Sequence, residues 1–588
     1  MPPDPPPPPI TAAPAATTPE RARLVEAAAT LRDRLAAASF PLPVAGREAA
    51  EATAEAAVRQ LDDYVIARLA DLDAPALIVV GGSTGAGKST LINSLLGTTV
   101  TRPGVLRPTT RAPVLVHHPS EADRFSGDRV LPALARVSGG HSDSTTELEL
   151  VALEDLPPTV ALLDTPDIDS VVDANRELAA HLLAAADLWV FVTTAARYAD
   201  AVPWQFLLDA QQRGVALVVV LNRVPPGALE QITAHLAALL AEHGLGGTRI
   251  FGIEEQPLRD AMVGDEAIAP LRAWLRDVAT DHEVRTALVR QTLRGTVAEL
   301  VARTERVAAG LDDQRREQDQ LLKVVHERYR DAAAAVGRDI REGALIRGEV
   351  LARWQDLIGT GDLGRLLQST LGRLRERLGS LFTGRAPAAE GLHQAVESAT
   401  ELVVRARADE AAAAVAARWA EDPAGEALLA AAPAAVDRAS PELGARAERL
   451  VRDWQAALVD NLREKGAGKR SAARALSYGV NGLALVVMMA VFASTGGLTG
   501  TEAIIAGGSS TVGAKLLEAL LGDQVIRRLV EEARADLDRR VDELMAHEAD
   551  RFRVLVRPDP AGGPGDDDPA AALRAAAAEL ARRMDGRR

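Results

Sequence analysis

A chain of 588 residues exceeds what one hydrophobic core fills, about 250–300 residues, so at least two folded units are expected. Its net charge of -15 opposes DNA as a partner held by its phosphates, and the absence of cysteine excludes disulfides, thiolate metal sites and a thiol nucleophile. Hydrophobic residues make up 47% but aromatics only 3%, a balance that suits packed helices better than sheet sandwiches.

Residues 1–19 are proline-rich, without the basic start and apolar run of a signal peptide, and read as a disordered extended arm. Residues 20–75 read as helices, over Glu20–Ser39 and Arg47–Leu72, broken where Pro41 and Pro43 fix the backbone. An α/β domain is expected over 76–283. Short apolar runs at Ala76–Val80, Pro113–Val116, Val160–Leu163, Leu188–Val192, Val215–Leu221 and Arg249–Ile253 alternate with helical stretches. That order predicts a mainly parallel sheet with helices on both faces. From 284 to 557 the strand signal disappears and apolar residues recur at helical spacing, as in Val525, Leu529, Ala533, Leu537, Val541 and Leu544. This region reads as a long all-α bundle or stalk, followed over 558–588 by a linker and a short last helix.

The chemistry starts after the first strand. Gly82, Ser83, Thr84, Gly85, Ala86, Gly87, Lys88 and Ser89, with Thr90 next, fit the phosphate-binding pattern G-x-x-x-x-G-K-S/T between a strand and a helix. Backbone N–H groups must curl around phosphate oxygens there, a path that side chains at the glycines obstruct. Lys88 is expected at the β- and γ-phosphates and Ser89 on Mg2+. Asp164, closing the apolar run Val160–Leu163, is the expected magnesium-side carboxylate. Thr110, in the loop Arg107–Arg111, is placed to close over the γ-phosphate and the metal.

The three segments GGSTGAGKSTLINSLLG, PTTR and LLDTPD resemble the Era-like and bacterial dynamin-like P-loop GTPases, over roughly Ala76–His282. The resemblance implies GTP as substrate with Mg2+, Lys88 and Thr110 in catalysis, and Ser89, Thr110 and Asp164 around the metal. It makes Asn222 and Arg223 the counterparts of the base-contacting fourth motif. Pro225 stands where that motif has its guanine-reading aspartate, which leaves GTP against ATP open. Asp167 stands where these families place a glycine, and a carboxylate there is expected to repel the γ-phosphate unless turned away. Ile168 replaces a water-orienting glutamine, so slow hydrolysis is expected.

Residues 478–514 are almost free of charge and follow the basic cluster Arg463, Lys465, Lys469, Arg470 and Arg474. Two readings are open: an apolar hairpin resting in a lipid surface, or the buried centre of a helical bundle. The resemblance favours the first, and with it a self-associating, cytoplasmic protein at the inner face of the cell membrane whose stalk responds to nucleotide. The alternatives are a soluble nucleotide-binding scaffold with little hydrolysis and an Era-like ribosome- or RNA-associated GTPase.

Overall fold

The computed structural model describes residues 18–101, 112–127, 130–138, 144–168, 173–342, 350, 352–353, 386–466, 523–557 and 568–586. Two compact units emerge. One draws on Met1–Phe40, Gly46–Asp312 and Asp567–Arg588, the other on Pro41–Ala45 and Asp313–Asp566.

The first unit is an α/β domain on an eight-stranded sheet. Its strands are β1 (Ala76–Gly82), β2 (Val114–His117), β3 (Ala135–Ser138), β4 (Glu147–Ala152), β5 (Val160–Asp164), β6 (Leu188–Thr194), β7 (Ala216–Val224) and β8 (Arg249–Glu254), in spatial order β3-β4-β2-β5-β1-β6-β7-β8. Every pairing is parallel except β2 with β5. All residues of β1 and β6 are buried, because both faces of the sheet are covered. Ala76, Ile78 and Val80 of β1 join one hydrophobic core while Leu77 and Val79 join the other, the two-residue period of a strand.

The first core is covered by α1 (Thr18–Ala36), α2 (Arg47–Gln60), the start of a long helix and the last helix, through Leu31, Leu35, Ala57, Leu293, Val297, Leu573 and Leu580. A one-turn π-helix, Leu61–Ile66, follows α2 and leads into α3 (Ala67–Ala70). The second core is covered by α6 (Asp173–Ala184), α7 (Ala201–Gln212) and α8 (Leu229–Glu242), through Leu182, Leu183, Leu207, Leu236 and Leu240. Between them in the chain stand α4 (Lys88–Leu96) and α5 (Ala122–Ser126), and after β8 comes α9 (Asp265–Thr280).

One buried polar knot fixes the base of the sheet. Asp187, fully buried before β6, accepts from Tyr64 Oη at 3.0 Å and from Leu77 N at 2.7 Å and pairs with Arg68. Arg68 also donates to the carbonyls of Ala74 and Pro75, each at 3.0 Å. A buried charge persists only when paired and hydrogen-bonded in this way. Burial, with the Asp187 carboxylate beside it, pushes the Tyr64 phenol well above its ordinary pKa.

Helix α10 (His282–Arg341) gives its first part to this unit and its second to the other. In the first unit Glu299 accepts from Gln60 Nε2 at 3.4 Å and Arg303 donates to Gln60 Oε1 at 3.1 Å, so this helix packs on α2. The second unit is helical among the described residues. It contains α11 (Ala386–Trp419), α12 (Pro423–Ala431), α13 (Leu443–Gly466) and α14 (Asp523–Val556). Its core gathers Tyr329, Trp419, Trp454 and Phe552, with the Trp419 and Phe552 rings edge to face at 5.2 Å. The buried indole N–H groups find carbonyls: Trp454 at Ala533 O (2.8 Å) and Trp419 at Leu321 O (3.3 Å). Asp422 caps α12, accepting from Ala424 N and Gly425 N ahead of a helix that opens with Pro423. Helix α15 (Pro569–Met584) returns to the first unit and packs on α1.

Among the described residues no helix is long and apolar enough to cross a membrane. Residues 478–514 and the basic cluster before them, apart from the backbone of α13 to Gly466, lie outside the described residues.

Candidate phosphate-binding site

The register of the sheet brings the site together. Val80 of β1 lies opposite Asp164 of β5, Gly82 opposite Val192 of β6, and Thr194 opposite Asn222 of β7. Four strand ends therefore meet at one edge of the sheet, the carboxyl edge where ligands bind in open α/β sheets.

The loop from β1 to α4 needs its glycines. A Cβ on Gly82 would lie 2.0 Å from Val192 O, and one on Gly87, whose φ is 90°, would lie 2.8 Å from Asn222 Nδ2. Gly87 is the N-cap of α4 and supplies no side-chain cap, so the first-turn N–H groups suit an anion. Asn222 Nδ2 donates to Ala86 O at 2.8 Å, tying β7 to the loop. Arg197 donates to Thr84 O at 3.1 Å. The Ser83 hydroxyl is buried without a hydrogen-bond partner, and Thr90 O accepts from Ser94 Oγ at 2.6 Å.

Lys88 opens α4 and is only 6% exposed. Its ammonium donates to Gly82 O at 3.0 Å and Ser83 O at 3.2 Å and forms an ion pair with Asp167. Ser89 Oγ donates to Asp164 Oδ2 at 2.8 Å. The other oxygen of Asp164, Oδ1, is buried without a hydrogen-bond partner. A serine hydroxyl beside a carboxylate with an unused oxygen is the hard-oxygen donor set that Mg2+ takes, so these residues fit that ion. Burial raises the Asp164 carboxyl above the usual carboxylate range, against the opposing pull of Ser89, Lys88 and the nearby Thr101 hydroxyl.

Arg223 is exposed, with a positive φ of 54°, and its N–H bonds Asn222 Oδ1 at 3.0 Å. Thr110 and Arg111 lie outside the described residues. Two arrangements go beyond the sequence reading. The Asp167 carboxylate, expected to be a source of repulsion, is held by Lys88. Thr101, buried beside Ser89, donates to Ser89 O at 3.3 Å, and no motif spacing marks it. Ile168 is fully buried and its N–H reaches Gly82 O at 3.4 Å, so the side chain after Asp167 serves the core.

Residues 78–224 match the Dynamin family. Over 152 residues the chain is 28% identical to an Arabidopsis thaliana protein named "Probable transmembrane GTPase FZO-like, chloroplastic", covering 26% of this chain. The chain spans only 15% of the length of that relative. Among solved structures, an Era variant from Aquifex aeolicus bound to GDP.AlF4- aligns at 20% identity and a TM-score of 0.23, over 34% of this chain and 57% of that one. An oligomerised bacterial dynamin pair, described as a mechanism for long-range sensing and tethering of membranes, aligns at 12% identity and a TM-score of 0.26. That alignment covers 68% of this chain and 77% of the other. At these TM-scores neither structure bears on the chemistry of the site.

Proposed function

We propose that this chain, whose residues 78–224 are a dynamin-family P-loop domain, binds GTP with Mg2+, hydrolyses it slowly and couples nucleotide state to its helical region. The observation that carries this reading is the Ser89–Asp164 pair, with its buried unused oxygen, beside Lys88 and the uncapped start of α4. The glycine loop and the first turn of α4 bind the phosphates, and Lys88 adds the positive charge that transfer requires. Ser89 and Asp164 would hold the metal side, and Thr110, in the segment that precedes β2 in the sequence, would add a third oxygen. The charge of a magnesium ion held there would offset the negative charge of the phosphates. Asn222 supports the loop from β7, and Arg223 offers a planar cation at the base side.

Slow turnover follows from the residue after Asp167. Ile168 is buried in the core and has no group to orient water, so hydrolysis falls to backbone groups and Thr110. The same observation favours a second reading, a nucleotide-binding scaffold with little hydrolysis. Lipid contact through residues 478–514, self-association, and a place at the inner face of the cell membrane complete the first reading. They rest on the apolar composition of that segment, the basic residues before it and the dynamin-like resemblance. The packing of α2 on α10 offers a route from the P-loop domain into the long helix.

The test compares wild type and Lys88→Ala for binding and hydrolysis of GTP and ATP, with and without anionic liposomes. GTP-selective turnover that needs Lys88 and rises on liposomes is the expected outcome. Binding without turnover or lipid association selects the scaffold.

A further inference from the structure

An ammonium group has three N–H donors. On Lys88 two are taken by the carbonyls of Gly82 and Ser83, and the third meets the carboxylate of Asp167. The carbonyls belong to the loop itself and stay with it. Asp167 is different. It is 37% exposed, anionic and carried by the segment after β5.

That segment is pinned on both sides of Asp167. Thr165 N and Oγ1 both reach Val80 O, at 3.2 and 3.1 Å, and Ile168 N reaches Gly82 O while its side chain is fully buried. Two anchors to β1 and its loop therefore hold the Asp167 carboxylate on the ammonium. No phosphate oxygen can take the third donor of Lys88 while Asp167 keeps it, and two anions crowded at one buried ammonium repel each other.

We propose that Asp167 is a positioning residue that occupies Lys88 as an internal substitute for phosphate, so that nucleotide binding requires its carboxylate to leave. The inference rests on the nucleotide reading above and adds a competitor within the site. Asp167 lowers affinity for the polyphosphate chain, keeps Lys88 neutralised between ligands, and links phosphate entry to movement of the segment that carries it.

The experiment uses the full chain. Wild type, D167N, D167A, K88A and the double variant K88A/D167A are titrated calorimetrically with Mg2+ and a GTP analogue whose β–γ bridge resists hydrolysis. In parallel, Lys88 acetylation by a water-soluble active ester is followed by peptide mass. Expected are affinities that rise by about threefold to tenfold in D167A, less in D167N, whose amide still accepts a hydrogen bond. The double variant binds no better than K88A, and Lys88 acetylates faster once Asp167 is replaced. A role confined to stability predicts the opposite sign, with D167A lowering both melting temperature and affinity. Wild type that binds through Lys88, with Asp167 variants no tighter, overturns the competitor and leaves the nucleotide reading standing. No binding in wild type, D167N or D167A overturns both. Binding in the Asp167 variants alone supports both.

Discussion

The two units were built under different constraints, and the difference shows in what each residue is free to be. At the strand ends of the first unit, position and chemistry are fixed together. A glycine stands at 82 because Val192 O lies 2.0 Å from any Cβ, and a serine at 89 because its hydroxyl meets Asp164. In the second unit the constraint is volume. Trp419, Trp454 and Phe552 fill a helical core in which other side chains of the same size and period would also pack. Chemistry that needs one atom at one place leaves a sharper mark on a sequence than packing does.

Perturbing each unit in turn sharpens that contrast. The largest effect is expected at the buried knot of the first unit, where Asp187→Ala leaves the Arg68 guanidinium buried and unpaired at a cost of about 4 kcal/mol. Hydrogen exchange should show protection lost through β1 and β6 while α11 and α14 keep theirs. Phe552→Ala in the second unit removes the ring that meets Trp419 and should cost about 3 kcal/mol. Nucleotide affinity, measured by calorimetry, should not change; a large loss would mean that the site depends on the helical unit. Lys88→Ala should weaken nucleotide binding on the order of a hundredfold with a melting curve close to wild type. The smallest effect concerns Glu317, whose carboxyl is raised by burial and by Asp422 close by. A carboxyl raised in the folded state favours folding in its protonated form, a contribution full at acid pH and lost as pH climbs through the raised value. Glu317→Gln stays neutral throughout, so it should be more stable than wild type at pH 7 by about 0.5 kcal/mol. The gap should close near pH 4 and below, and urea titrations at the two pH values check it.

The six strands marked by apolar runs lie where the sequence places them, because burial on both faces leaves continuous apolar stretches. Two were missed for physical reasons. β4 alternates glutamate with leucine over Glu147–Leu150, and β3 has four residues at the sheet edge with little burial. The expected helix Arg47–Leu72 is interrupted by a π-turn at Leu61–Ile66, which no local preference announces. Its residues bond elsewhere in the fold, Tyr64 with Asp187 and Asp63 with His181 Nε2 at 2.6 Å. In the site, the loop and Asp164 could be read from spacing. The pairing of Asp167 with Lys88 could not, because it depends on anchors 85 residues along the chain, between Thr165 and Val80.

The order of the chain also sets a schedule for its synthesis. The first unit takes its helices from both sides of the second, and α1 packs against α15, whose Leu573, Ala577 and Leu580 close the same core as Leu31 and Leu35. A ribosome that has finished Arg341 must add about 240 residues before Leu580 exists, roughly 12–50 s at about 5–20 residues per second. Through that interval the nascent P-loop domain carries an uncovered apolar stripe along α1, a surface for chaperones to hold while the helical unit is still being made.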